Sequence, residues 1–164
     1  MAYQILGNVV ITQAIADTST TQKEKLGRIV QAADPDYGVG EFIYLTGVAS
    51  TIVGSVVEYD TTFQTGLASI ALATPRPLAV SMSANGASQY GWYQISGLAI
   101  VAKASALSLA AGAAIGATSG FAVAGATALL VQGALVATTV AGGSTTTVEV
   151  MINRPTGPGA VAEA

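Results

Sequence analysis

The sequence predicts an all-β domain, either a sandwich or a barrel-like fold of the jelly-roll or β-tulip type. Short runs of β-branched and aromatic residues recur at intervals of roughly eight to twelve residues, and Gly, Pro, Asn and Asp separate them. The 164 residues correspond to one domain. Hydrophobic residues make up 51% of the chain, which is enough to build a core.

The N-terminal residues differ in composition from the rest. An apolar run without a clean period, 5–15, leads into the most polar stretch, 17–25, which predicts an exposed loop. Residues 26–30 are compatible with a strand. We therefore predict an extended N-terminal arm over 1–30, a β domain over 31–155 and a flexible tail over 156–164.

Three strands are predicted in the first half of the β domain. The sequence Asp-Pro-Asp-Tyr-Gly at 34–38 is typical of a turn, and strand-like runs follow at 41–46 and 56–59. The prolines at 75 and 77 exclude a central strand there, because neither can donate a backbone hydrogen bond. A third strand is predicted at 78–82.

The strongest strand signal covers 88–96, after an Asn-Gly turn at 85–86, with a continuation over 98–102. Alternation places Tyr90, Trp92 and Gln94 on one face and Tyr93 and Ile95 on the other. The aromatic residues predicted to lie in the core or in a subunit interface are Phe42, Tyr44, Tyr90, Trp92 and Tyr93.

The C-terminal half gives weaker signals. Alanine-rich residues 102–111 have high helix propensity but no amphipathic stripe, and they are the one helix candidate. Two hairpins are predicted, one joining 113–118 to 121–124 and one joining 135–140 to 145–152.

Composition excludes several classes of chemistry. Without His or Cys, there is no imidazole base and no common zinc, haem-thiolate or iron–sulfur ligand set. Six basic and nine acidic residues, with a net charge of −3, argue against nucleic-acid binding. The glycine-rich segments do not match phosphate-binding loops. We expect no cofactor, no metal and no enzymatic activity.

Two carboxylate pairs are the remaining acid–base candidates. Asp34 with Asp36, and Glu58 with Asp60, have the spacing that puts both members on one strand face. Such pairs can serve glycoside hydrolysis or bind Ca²⁺. Both pairs border turns, which favours a structural role. A carbohydrate-binding or carbohydrate-cleaving domain that uses these groups with Tyr90 and Trp92 is the first alternative function.

No charge occurs between Lys103 and Glu149, a gap long enough to span a bilayer. Gly112, Gly116 and Gly120 have the spacing of closely packed membrane helices. Frequent glycines and few large aliphatic residues favour turns instead, and the N-terminus lacks the basic region of a signal peptide. A membrane-inserted oligomer using 104–141 is the second alternative; the primary expectation is no membrane contact.

Five segments carry a resemblance to a known family. They are residues 26–51, Val-Val-Glu-Tyr-Asp at 56–60, Ala-Val-Ser-Met-Ser-Ala-Asn at 79–85, Ser-Gln-Tyr-Gly-Trp-Tyr-Gln-Ile-Ser-Gly at 88–97 and Asn-Arg-Pro at 153–155. In these segments the chain resembles the capsid decoration, or cement, proteins of tailed phages. Residues 104–140 depart from the family pattern.

The resemblance implies a non-enzymatic virion protein, made in the host cytoplasm, that binds the outside of an icosahedral shell and cements neighbouring major capsid subunits. It also implies a dimer or a trimer. The small number of surface charges independently predicts a homo-oligomer, and we favour a trimer over a dimer. We expect the capsid contact on the N-terminal arm, which adds to an exposed strand edge and is mobile when free. Its predicted residues are Tyr3, Ile5, Leu6, Val9, Ile11, Lys23, Lys25 and Arg28.

Overall fold

A computed structural model describes residues 3–69, 75–125 and 130–157. Within these ranges the chain forms twelve β-strands and no helix, which confirms the predicted all-β class. The strands are β1 Gln4–Ile5, β2 Thr18–Ser19, β3 Ile29–Asp34, β4 Gly38–Thr46, β5 Val56–Tyr59, β6 Thr65–Leu67, β7 Leu78–Ser81, β8 Tyr90–Ala102, β9 Ile115–Thr118, β10 Phe121–Ala124, β11 Gln132–Val136 and β12 Thr147–Thr156.

The 13-residue strand β8 is the centre of a ten-stranded antiparallel sheet. Its first half pairs with β4, and its second half pairs with β12, which in turn pairs with β11. The path β1-β3-β4-β8-β7-β5-β6 completes the sheet, while β9 and β10 form a separate hairpin. The described strands make a sandwich-like fold without a closed barrel.

Side-chain alternation on β4 and β8 separates two cores. Phe42, Tyr44 and Trp92 belong to one cluster, which the N-terminal residues cover. The alternate positions, including Ile43 and Tyr93, belong to a second cluster against β5 and β7. Both faces of the sheet are therefore buried at its centre, as the predicted two-sided pattern of 88–96 requires.

A third core lies between the second half of β8 and the C-terminal strands. It is rich in Val, Ile and Ala, including Val101, Ile115 and Val150. These small and β-branched side chains suit closely packed strands. The uncharged region thus supplies much of this buried layer.

The one helix candidate, residues 102–111, does not form a helix. These residues form the end of β8 followed by turns. Lys103 is buried, and its ammonium donates hydrogen bonds to four carbonyl oxygens, those of Ala104, Ser105, Leu107 and Thr145, at 2.7–3.4 Å. The long-range partner at Thr145 favours a loop over local helical hydrogen bonding.

The two predicted hairpins have different outcomes. The first is confirmed: Ser119 and Gly120 connect β9 to β10, with φ values of 48° and 81°. Positive φ at both central residues fits a type I′ turn. In the second, β11 and β12 pair as predicted, but β11 ends at Val136 and a loop replaces a tight Gly-Gly turn. Residues 126–129, and 158–164 of the predicted tail, lie outside the described residues.

Candidate functional site

The predicted aromatic residues lie inside the molecule. Phe42, Tyr44, Trp92 and Tyr93 are buried, with at most 1% of their surface exposed. Tyr90 is half-buried and stacks on Tyr44, with ring centroids 6.4 Å apart. Trp92 therefore has no exposed face on which a sugar could stack, and Tyr90 is the more accessible of the two rings that the carbohydrate-binding alternative uses.

The carboxylate pairs take part in local structure. Asp34 Oδ1 accepts the backbone N–H groups of Asp36 and Tyr37 at 2.7 and 3.1 Å, which closes the predicted turn. Asp60 Oδ1 likewise accepts the N–H groups of Thr62 and Gln64. Through these bonds, Asp34 and Asp60 each stabilise a turn.

Glu58, the remaining candidate acid, pairs with Arg76 at 3.0 Å. This ion pair gives Glu58 a structural partner. In the described part of the chain, no group of three or more Asp, Glu, His or Cys side chains could hold a metal ion.

The N-terminal segment, residues 3–28, packs on the sheet. Ile15 is 1% exposed and contacts the cluster around Trp92. Trp92 Nε1 donates a hydrogen bond to the Gln13 carbonyl oxygen at 2.9 Å, and the Tyr44 hydroxyl donates one to Gln13 Oε1 at 2.5 Å. Strand β1 also pairs with β3. The segment covers an aromatic core that would otherwise face water.

The buried carboxylate of Glu24 links two parts of the N-terminal segment. Its carboxylate accepts hydrogen bonds from the Thr12 backbone N–H at 2.6 Å and the Thr12 hydroxyl at 2.8 Å, and it pairs with Arg28. Burial alone would raise the pKa of Glu24, but the bonds from Thr12 and the Arg28 guanidinium hold that pKa below its usual value.

This packing differs from a separate arm. Residues 3–30 share a core with β4 and β8, and residue 30, where the arm was predicted to end, lies inside β3. The physical reason is the row of apolar side chains at Ile5, Ile11 and Ile15, which finds the aromatic face of the sheet within the same chain.

The structure divides the predicted capsid-binding residues into two sets. Tyr3, Ile5 and Ile11 are half-buried against the core. Leu6 and Arg28 are also half-buried, while Val9, Lys23 and Lys25 are exposed. Only this last set is fully available to a partner.

Beside this segment, Val10 and Ile29 are exposed apolar residues that the sequence pattern did not single out. Val10 is 81% exposed and Ile29 is 43% exposed. Val10 belongs to an apolar run whose irregular period gave no sign of which side chains point outwards. Ile29 lies in a predicted strand. The side to which it points depends on the register in which β3 pairs with β4, and the turn at 34–38 sets that register only in the folded chain.

Hydrogen bonds bring these exposed residues together. Arg28 donates to the Val10 carbonyl oxygen at 2.8 Å, and the Thr12 hydroxyl oxygen lies 2.9 Å from the Lys23 carbonyl oxygen. Residues 9–12 thus lie beside 23–29. We call the resulting exposed set the basic–apolar surface; its members are Val9, Val10, Lys23, Lys25 and Ile29.

The charge on this surface has no ion-pair partner among the described residues. Arg28, Arg76 and Arg154 each pair with a glutamate, and Lys103 is enclosed by carbonyl oxygens. Lys23 and Lys25 flank the buried Glu24 and form no ion pair among the described residues. These two ammonium groups are available to an acidic partner.

A second exposed apolar feature lies on β11 and β12. Leu135 and Met151 are opposite each other in the register, and each is 52% exposed. They border a groove of about 410 Å³ whose lining also includes Leu130, Gly133 and Ile152. We call this feature the Leu135–Met151 ledge.

The glycines that suggested membrane helices lie in β structure. Gly112 and Gly120 are in turns with positive φ, and Gly116 is in β9. Over the described ranges, the structure has no helix of the length and apolarity needed to cross a bilayer.

The chain matches no protein-family model, and no curated protein is significantly similar to it.

Proposed function

We propose that the protein is a non-enzymatic virion component that binds the outer surface of an icosahedral phage capsid and cements neighbouring major capsid subunits. The basic–apolar surface supports this proposal most directly. It combines two unpaired lysines with three exposed aliphatic side chains on a segment that the sheet holds in place. The family resemblance of residues 26–102 supplies the identity of the partner.

The chemistry of the surface specifies the chemistry of its partner. Val9, Val10 and Ile29 would lose contact with water on docking, and burial of apolar area is the main favourable term in association. Lys23 and Lys25 would meet carboxylates of the capsid, which fix orientation and accelerate the encounter. Because the segment is already packed on the sheet, little ordering entropy is lost.

Thermodynamic linkage explains how such binding would stabilise the shell. A protein that binds an assembled shell, and not free capsid subunits, stabilises the shell in proportion to its free concentration and affinity. Contacts with two neighbouring subunits at once require more than one binding surface per particle. A homo-oligomer, with the trimer favoured, provides this by repeating the basic–apolar surface around its axis.

Co-sedimentation with undecorated capsids tests the proposal. The double variant Lys23→Gln, Lys25→Gln and the variant Val10→Ser should each bind at least about tenfold more weakly, because each alters a central contact. Matched controls are Arg154→Gln, which removes a charge elsewhere, and Ile52→Ser, which removes an exposed aliphatic side chain elsewhere. Wild-type binding by both test variants would exclude this surface. Failure of the wild-type protein to bind any capsid would exclude the function.

A further inference from the structure

A second groove, of about 420 Å³, lies on the face of β8 that continues beyond Trp92. Gln94, Leu98 and Ile100 of β8 form its floor. Its lining also includes residues from other parts of the chain, namely Tyr3 of the N-terminal segment and Val53 of the loop before β5. None of these groups belongs to the basic–apolar surface.

Aromatic rings and one carboxylate complete the lining. Tyr3, Tyr37 and Phe42 border the groove, and Asp34 is the charged residue among its lining residues. The Asp34 carboxylate already accepts two backbone N–H groups, but no lysine or arginine side chain pairs with it. Burial, together with a hydrogen bond to the Asp34 carboxylate, raises the pKa of the Tyr3 phenol. Neutral donors thus surround Asp34, and among the described residues no lysine or arginine balances its negative charge.

Gln94 adds an acceptor at the floor. Its side chain is 6% exposed, and Nε2 donates hydrogen bonds to the carbonyl oxygens of Ser96 and Leu98, both at 3.1 Å. Both amide hydrogens are thereby used. Within the described residues no group donates to Gln94 Oε1. A ligand with N–H donors therefore finds a carboxylate and an amide oxygen in one apolar groove.

We infer that this groove binds the side chain of a lysine presented by a partner protein. A lysine has an apolar stem, which suits the apolar lining of Leu98, Ile100 and Phe42, and a terminal ammonium with three donors, which suits Asp34 and Gln94. The rings of Tyr3 and Tyr37 add attraction for a cation. A purely apolar side chain would leave the carboxylate unpaired.

The rim indicates a protein as the source of the ammonium. Val53 is 59% exposed and Tyr37 is 38% exposed, and both lie at the mouth of the groove. A free amine would not cover them, whereas a polypeptide carrying the lysine would bury this apolar rim. The site is independent of the proposed capsid contact, since it uses other residues and the opposite charge.

Peptide titration followed by two-dimensional amide NMR tests this inference. The probe is an acetylated, amidated pentapeptide, Gly-Val-Lys-Val-Gly, and the matched control carries norleucine in place of lysine. We expect saturable shifts at the amides of Tyr37, Gly38, Val53 and Leu98, with the lysine peptide binding about fivefold more tightly than the control.

Two isosteric variants separate charge from structure. Asp34→Asn keeps the turn acceptor and removes the charge, so it should weaken lysine-peptide binding about fivefold. Asp60→Asn makes the same change in an equivalent turn away from the groove and should bind like wild type. Val53→Lys, at an exposed rim position, should abolish binding even if Asp34→Asn perturbs its turn.

Three results would overturn the inference. Equal binding of the norleucine peptide, or unchanged binding by Asp34→Asn and Val53→Lys, would show that the carboxylate does not recognise an ammonium. Equal affinity for butylammonium chloride would show a small-amine site with no protein partner. Peptide-independent shifts that grow with protein concentration and vanish in Lys23→Gln, Lys25→Gln would show that a second copy fills the groove.

Discussion

Trp92 is the residue on which the packing of the N-terminal segment depends most. Its ring is fully buried against Tyr44, with centroids 5.1 Å apart, and its indole N–H bonds to Gln13. Trp92→Ala should lower the free energy of unfolding by about 3–5 kcal/mol, since it leaves a large cavity. Trp92→Phe, which keeps a ring but loses the hydrogen bond, should cost less. Urea denaturation measures both; equal stability of Trp92→Ala and wild type would place the ring outside the core.

Glu24 gives the N-terminal segment a defined response to acid. Its folded-state pKa lies below the unfolded value, so its contribution to stability is complete above the unfolded pKa and is lost as pH falls through the folded one. We expect amide protection of residues 10–15 to decrease at acidic pH, below the ordinary range of a glutamate. Hydrogen exchange at pH 3 and pH 7 measures this effect.

Glu24→Gln is the matched variant for that experiment. It retains an acceptor for Thr12 but loses the ion pair with Arg28. At pH 7 the variant should already show the faster exchange, and its exchange should change little more on acidification beyond the intrinsic pH effect. An acid response as large in the variant as in wild type would assign the effect to another carboxylate.

At the scale of single elements, the sequence predicted the strands whose side chains alternate and the turns whose residues require positive φ. Strand β8 and the Ser119-Gly120 hairpin are examples. It did not predict β1, β2 and β6, which have two or three residues each. Strands this short are stabilised by pairing with residues that are distant in sequence. The local hydrophobic period does not reveal that pairing.

The same limit applies to the candidate site. Charge and composition identified Lys23 and Lys25, because exposed lysines are the norm. They did not distinguish Ile11, which faces the core, from Val10, which faces water, since that distinction depends on the hydrogen bonds of Thr12 and Gln13. Glu24, placed in a polar loop by sequence, is buried for the same reason.

Gly97 allows β8 to change partners in mid-strand. Its φ is 101°, and an added Cβ would lie 2.6 Å from the Val39 carbonyl oxygen. Gly97→Ala should therefore cost more than the roughly 1–2 kcal/mol of left-handed strain alone. Gly38→Ala is the matched control, because its φ is 80° and nothing lies within 4 Å of the added Cβ. Thermal unfolding of the two variants compares them; equal losses would show that the contact with Val39 relaxes at no cost.

For the whole molecule, the distribution of charge separates the surfaces. The unpaired lysines lie on the N-terminal segment, and Asp34 and Asp36 lie at the turn between β3 and β4. The face of β11 and β12 near Leu135 and Met151 has neither. Contacts of different chemistry can thus form on one small domain without competing for the same residues.

The Leu135–Met151 ledge is where we expect copies of the chain to meet. Protruding Leu135 and Met151 border a 410 Å³ groove, so the side chains of one copy can fill the groove of the next copy, and three such contacts around an axis close a trimer. None of the residues that line the groove is charged, so the groove itself sets no like charges against each other when two copies meet. Multi-angle light scattering should show an oligomer for wild type, with a trimer favoured, and a monomer for Leu135→Lys combined with Met151→Lys, because two buried ammonium groups would lack partners. Ile52→Lys, a charge at an exposed aliphatic position elsewhere, should leave the oligomer intact. A monomeric wild type at micromolar concentration would refute self-association, and an oligomeric double variant would move the contact to another face.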